Sequence, residues 1–328
     1  MSSKLSRFKK NDGFSRAELL VVITCVGIIV FMLLPAAGTN QRQNRRISCL
    51  SKIRNITLAC VVYESSNQQF PAVVSSHGES FLVRILPILE QISYYDDFRS
   101  APDKDLAKDV LAGLEIDTFR CDSTPLNDFD SAPLAGFTSH YTGCAGPASS
   151  NTADVYGSAE FSYQTNSFGP VGLKGLFSPT IINGADPSNA IARATKSGVI
   201  TEHVSDGVSN TLAIVETSRS DLNSGGRTFT NHRSRWSWGL EENEPTKVNW
   251  ARSITRTINS YNDMPNQKIP YHELPISSNH VGGANVSCGD GSTHFVSEDT
   301  DLIVLQAISG INEGDVAHQD LYLSLIHI

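Results

Sequence analysis

Residues 13–37 read GFSRAELLVVITCVGIIVFMLLPAA, and residues 19–37 of that stretch hold no charged side chain. At 1.5 Å per helical residue this run covers about 28 Å, enough for the hydrocarbon core of a bilayer at about 30 Å. A helix buried in a protein core rarely shows apolar residues on every face, and a cleaved secretory signal has a shorter apolar region that ends at a small-x-small site. The run therefore reads as a retained transmembrane helix. Downstream, Ile47, Leu50, Ile53, Ile56, Thr57, Cys60 and Val61 recur at spacings of three and four, the period of an amphipathic helix. One long helix is expected, kinked at Pro35 and ending at about residues 65–67, ahead of Phe70-Pro71.

Charge separates the two parts of the chain. Ten of the 26 Lys/Arg residues but only two of the 34 acidic ones, Asp12 and Glu18, fall in residues 1–54, which leaves 16 basic against 32 acidic side chains in the remainder. An acidic head is unsuited to phosphate contacts, so no nucleic-acid partner is expected. Basic residues stand on both sides of the apolar run, Lys4, Arg7, Lys9 and Lys10 before it and Arg42, Arg45, Arg46, Lys52 and Arg54 after it, so charge bias alone does not orient the span. The six cysteines, Cys25, Cys49, Cys60, Cys121, Cys144 and Cys288, include no C-x-x-C pair. Their spacing gives no reason to expect a zinc cluster, and no metal or other cofactor is anticipated.

The junction KKNDGFSRAELLVV resembles the type IV prepilin and pseudopilin processing signal. There a basic leader ends in glycine, here Gly13; an apolar residue becomes the new amino terminus, here Phe14; and a glutamate stands fifth, here Glu18. Arg16 departs from the apolar or small residue usual at its position. The resemblance implies cleavage by a membrane-embedded prepilin peptidase, a leader on the cytoplasmic side, and a new amino group that partners Glu18 of a neighbouring pilin-like subunit. That partner matters, because a carboxylate within a membrane segment costs about 2.5–3.5 kcal/mol on insertion scales unless it is paired.

In the head, residues 81–98 read as a helix broken at Pro87, residues 104–114 as another helix, and residues 121–195 as loops with short strands. Residues 199–203, Asp206-Gly207 and residues 210–216 read as strand, turn and strand; residues 284–288, 289–291 and 293–297 repeat that pattern. A last helix is expected over residues 301–309, capped by Asp299 or Thr300 and stopped by Gly310. The segments RRISCLSKIRNITLACVVYESSNQQFP, FLVRILPILEQ, FRCDS, DGVSNTLAIVE and HVGGANVSCGDGSTHFV resemble, in that order, a large pilin-like family abundant in planctomycetes (DUF1559-like). That family joins a prepilin-type amino terminus to a head with a C-terminal H-x9-DG motif, here His280 and Asp290-Gly291. The resemblance implies a pseudopilin-like head with no established activity. Cys49 and Cys121 lie in two of the segments that carry it, and in an oxidising compartment a bridge between them would tie the head to the helix across a long loop; two buried thiols are the alternative. Cys60 with Cys144 or Cys288 is a further pairing that the sequence leaves open.

Catalysis has little to rest on. His280 with Asp290, or His203 with Asp206 and Glu216, offers acid and base groups, but no nucleophile elbow, H-E-x-x-H pair or phosphate-binding glycine loop accompanies them. Asp-Gly is favoured in tight turns, so Asp206-Gly207 and Asp290-Gly291 are expected to be structural, with His280 orienting a loop. Asp206, Asp290 and Asp299 are the carboxylates that could serve a calcium ion, but no EF-hand spacing supports one. Residues 323–328, LSLIHI, can be encoded by the end sequence of a transposase adapter and are expected to be a sequencing or cloning remnant.

The resulting expectation is an α+β protein, a long amino-terminal helix packed on an antiparallel sheet, with a leader (1–13), a transmembrane helix (14–37), its amphipathic continuation (38–67) and a globular head (68–322). It is expected in the inner membrane as a single-pass protein with its head in the periplasm or at the cell surface. There it would serve as a structural subunit of a type IV pilus-like or type II secretion-like assembly and not as an enzyme. Rival expectations are a singly anchored module that binds a glycan or protein and, more remotely, a secreted hydrolase.

Overall fold

The computed structural model describes residues 15–75, 77–124, 137, 139–148, 162–165, 169–172, 174–178, 198–217, 236–238, 240–241, 244–248, 251–260 and 274–311; the side chains of residues 31–40, 162–171 and 240–248 lie outside that description. The leader, with Gly13 and Phe14, and residues 323–328 therefore also lie outside it. Helix α1 runs from Arg16 to Asn67 without interruption, as the two apolar patterns predict; the surroundings of the Pro35 side chain are not described. Two compact units divide the chain, residues 1–44 and 45–328.

In the first unit, Ser15 and Glu18 close a reciprocal capping box: the Ser15 backbone N–H donates to Glu18 Oε2 (2.8 Å) and the Glu18 N–H to Ser15 Oγ (3.2 Å). The S-x-x-E spacing satisfies two donors that every helix start leaves open. Leu19, Leu20, Val21, Val22, Ile23, Val26, Ile28, Ile29 and Val30 are all exposed. Among the described residues no helix is long and apolar enough to cross a membrane, and the described side chains of the apolar run stop at Val30.

The second unit is built on a five-stranded sheet. Its strands are β1 (Tyr141–Pro147), β4 (Leu212–Glu216), β7 (Ala251–Ile254), β8 (Gly283–Cys288) and β9 (Thr293–Ser297), in the order β7-β1-β4-β8-β9. Two separate hairpins pair β2 (Ser162–Thr165) with β3 (Gly169–Gly172) and β5 (Leu240–Glu241) with β6 (Glu244–Val248). Pairing within the main sheet is antiparallel except between β1 and β7, which run parallel. The sheet is therefore mixed and not purely antiparallel, because apolar patterning marks a strand without fixing its direction.

Both faces of β4 are buried. Ala213 and Ile214 join one apolar cluster with Cys49, Ile53, Ile56 and Cys60 of α1 and with Phe81 and Leu82 of the short helix α2 (Phe81–Arg84). Leu212 and Val215 join a second cluster with Val286, Val296, Leu305 and Ile308, the last two from helix α5 (Leu302–Ser309). The carboxy-terminal half of α1 thus packs on the sheet at three-and-four spacing, and Thr57 Oγ1 meets Ser287 Oγ of β8 at 2.5 Å.

The helical pattern broken at Pro87 resolves into α2 and α3 (Ile92–Ser100), followed by α4 (Lys104–Ala112), whose N-cap Asp103 accepts from the N–H groups of Asp105 and Leu106. The hairpin expected around residues 289–291 is β8–β9, in register from Gly283↔Ser297 to Ser287↔Thr293. Two expectations are corrected. Residues 201–203 form a 3₁₀ turn and not a strand: the Val199 carbonyl accepts from Phe70 N–H, beyond the end of α1, and the N–H groups of His203 and Val204 close back on the Ile200 and Thr201 carbonyls. Helix α5 is preceded by Asp301, which makes no side-chain cap; Asp299 and Thr300, the expected caps, donate their N–H groups to Ser297 in the turn that closes β9.

Candidate functional site

His280 and Asp290-Gly291 flank β8, His280 before its first residue and the Asp-Gly pair after its last. Six strand residues at about 3.4 Å each keep the two ends about 20 Å apart, which excludes a His280–Asp290 acid/base pair. The motif spans one central strand with a different task at each end.

At the Asp-Gly end the task is turn formation. Asp290 Oδ1 accepts from the Ser292 N–H (2.8 Å) and hydroxyl (2.7 Å), and Gly291 takes a positive φ of 88°. Burial raises the Asp290 carboxyl, but the bonds from Ser292 and from the Ser209 side chain outweigh it and leave the group below its ordinary value. The second Asp-Gly turn lies alongside: Gly207 has φ 82°, and Gly289 N–H donates to the Thr211 carbonyl (3.1 Å). Asp206, Asp290 and Asp299 do not converge on a common ligand point among the described residues.

At the histidine end four side chains from four elements meet. Cys49 comes from α1, Cys121 from the loop after the 3₁₀ turn Asp117–Phe119, Glu216 from the last position of β4, and His280 from the approach to β8. Their potential ligand atoms all lie within 4.8 Å of one another, and all four residues are buried. The Sγ atoms of Cys49 and Cys121 are 2.7 Å apart. Cys121 Sγ is 3.6 Å from His280 Nε2, which is 3.5 Å from Glu216 Oε1.

Three of the four residues are held from behind. Ser123 Oγ meets His280 Nδ1 at 3.1 Å and the Ser278 hydroxyl accepts from the His280 N–H. Glu216 Oε2 accepts from the N–H (3.0 Å) and side-chain amide (2.9 Å) of Asn285. The Cys121 N–H donates to His140 Nδ1 (2.8 Å).

These contacts spread the protonation states apart. The hydrogen bond from Cys121 brings the Cys49 thiol down to about 5 against the opposing effect of burial, with His280 adding to the fall. Burial, then the proximity of Cys49 and Glu216, drives the Cys121 thiol far upward. Burial also raises Glu216. For His280 burial acts downward, but its bond to Cys49 and the Glu216 charge prevail and raise it.

The structure brings Cys49 and Cys121 together, both as thiols. The sequence grouping of the other residues is not: Glu216 stands with His280, while His203 is exposed on its 3₁₀ turn. Cys60, Cys144 and Cys288 are buried thiols raised by burial, Cys60 above its ordinary range, Cys144 to about 12 and Cys288 to about 11. No short motif links the four clustered residues, since their chain separations include 72 and 159 positions.

A family model described as a protein of unknown function, DUF1559, matches residues 39–302. No curated protein and no solved structure matches the chain.

Proposed function

The chain belongs to the DUF1559 family of proteins of unknown function, and from that premise we propose that it is a membrane-anchored, pilin- or pseudopilin-like structural subunit with a non-catalytic head. The observation that carries this reading is the start of α1: from Leu19 to Val30 its large apolar side chains are exposed, Leu20 at 65% and Val21 at 61%. Exposed apolar side chains on successive residues point around the whole helix, and water is a poor solvent for such a surface. Residues 31–37, FMLLPAA, extend the same uncharged run in the sequence. Lipid is the proposed environment, with the inner membrane as location and the head on its outer side.

The carboxy-terminal half of α1 supports the pilin-like part of the reading, because its apolar stripe is built into the core of the head. An exposed apolar stretch in the first unit and a helical stripe packed on a sheet in the second suit an anchored subunit. Glu18 has a local partner in the Ser15 N–H, which lowers the cost of a carboxylate at the membrane edge while leaving Oε1 for a neighbouring subunit's amino group. Prepilin peptidase and other pilin-like subunits are the proposed partners.

Incorporation into sheared surface filaments tests the assembly. Glu18→Ala is expected to leave the chain in the membrane and remove it from filaments. Undiminished incorporation would refute the role of Glu18, and absence of the wild-type chain from any filament would favour the singly anchored binding module.

A further inference from the structure

We propose that Cys49, Cys121, Glu216 and His280 form a buried four-ligand site for a divalent metal ion of zinc's class. Two sulfurs, one imidazole nitrogen and one carboxylate oxygen are a donor set that suits this borderline-soft ion, which takes four ligands in a tetrahedron. Metal–sulfur bonds of about 2.3 Å and metal–nitrogen or –oxygen bonds of about 2.0–2.2 Å place sulfur and nitrogen about 3.6 Å apart and nitrogen and oxygen about 3.4 Å apart across a tetrahedron. The Cys121 Sγ–His280 Nε2 distance is 3.6 Å and the His280 Nε2–Glu216 Oε1 distance is 3.5 Å. The sulfurs, 2.7 Å apart, have to separate by about 1 Å to reach the 3.8 Å of two thiolates on one such ion.

The surroundings favour a metal over a simple thiol pair. His280 engages Ser123 through Nδ1, which leaves Nε2 directed at the other three groups. Glu216 gives Oε2 to Asn285 and keeps Oε1 toward His280. Outer partners of this kind orient the ligands of metal sites and fix the histidine tautomer. A disulfide would use only the two cysteines and leave a fully buried carboxylate beside an imidazole, a costly arrangement; a metal ion uses all four. Loading displaces the remaining thiol and imidazolium protons to solvent, so the ion meets two thiolates, a carboxylate and a neutral imidazole.

The test uses the full-length chain in mild detergent, purified reduced and without oxygen, and titrated with Co²⁺. One Co²⁺ per chain is expected, with a sulfur-to-cobalt charge-transfer band, intense tetrahedral absorption in the visible, and loss of both on adding Zn²⁺. Cys49→Ser is expected to weaken the charge-transfer band. Ser123→Ala, which leaves all four ligands in place, is expected to lower Co²⁺ affinity about 10–100-fold. Absence of stoichiometric binding by wild-type chain with an intact melting transition would overturn the proposal. So would a Cys49–Cys121 disulfide as the main form in protein alkylated rapidly from its own envelope.

Discussion

Replacing Gly291 by alanine probes the turn at the far end of the H-x9-DG motif, and Gly207→Ala supplies an internal comparison. Both glycines hold a left-handed backbone, φ 88° and 82°, where an L side chain costs about 1–2 kcal/mol. Their surroundings differ. Among the described residues a Cβ on Gly207 would meet only Asn210 Nδ2 at 3.7 Å, whereas one on Gly291 would stand 2.7 Å from Leu58 Cδ2 of α1. Leu58 is 38% exposed, so its tip can swing aside at an off-rotamer cost of about 0.5–1.5 kcal/mol. Gly207→Ala is thus expected to cost about 1–2 kcal/mol and Gly291→Ala about 1.5–3.5 kcal/mol. Domains of 150–250 residues lose about 2–4 °C of Tm per kcal/mol, so losses of several degrees, larger for Gly291, are expected by tryptophan fluorescence of the full-length chain in detergent. A Gly291→Ala melting temperature equal to wild type would refute both the left-handed turn and its seat against α1.

The packing of α1 on the sheet predicts that Ile53→Ala, at a fully buried core position, costs about 2–5 kcal/mol; a loss below 1 kcal/mol in the same melting assay would argue that the helix does not enter the core. Asp290 gives a pH-dependent term: its folded carboxyl lies below its ordinary value of 3.8, so its stabilisation is present above that pH and lost as pH falls through the lower folded value. The difference in Tm between wild type and Asp290→Asn should therefore be constant at neutral pH and shrink below pH 3.8. A gap that persists unchanged into strong acid would contradict the Ser292 bonds.

Periodicity and turn chemistry carried much of the fold. The three-and-four spacing from Ile53 to Cys60 placed the helix face that meets β4, and Gly289-Asp290-Gly291 marked the β8–β9 turn, because both signals are local. What local signals do not encode is which strands become neighbours. The parallel β1–β7 pair joins segments about a hundred residues apart, and the Val199 carbonyl is engaged by the chain beyond α1, so its extended-looking neighbours never joined the sheet. The candidate site was legible only in pieces. The family resemblance points to Cys49 with Cys121, whereas the sequence groups His280 with Asp290 and Glu216 with His203 and Asp206. Strand order placed the end of β4 beside the approach to β8 and brought Glu216 to His280. The Ser15–Glu18 capping box is readable in S-x-x-E, a purely local signal.

Mass spectrometry of the mature amino terminus, on protein from cells with an active prepilin peptidase, tests the anchored pilin-like account most directly. Cleavage at the Gly13–Phe14 bond removes the basic leader and creates an amino group four residues before Glu18, so the chain is expected to begin at N-methylated Phe14, with Gly13→Val blocking processing but not insertion. A chain that begins at Met1 or Ser2 in those cells, or beyond residue 37, would contradict the account.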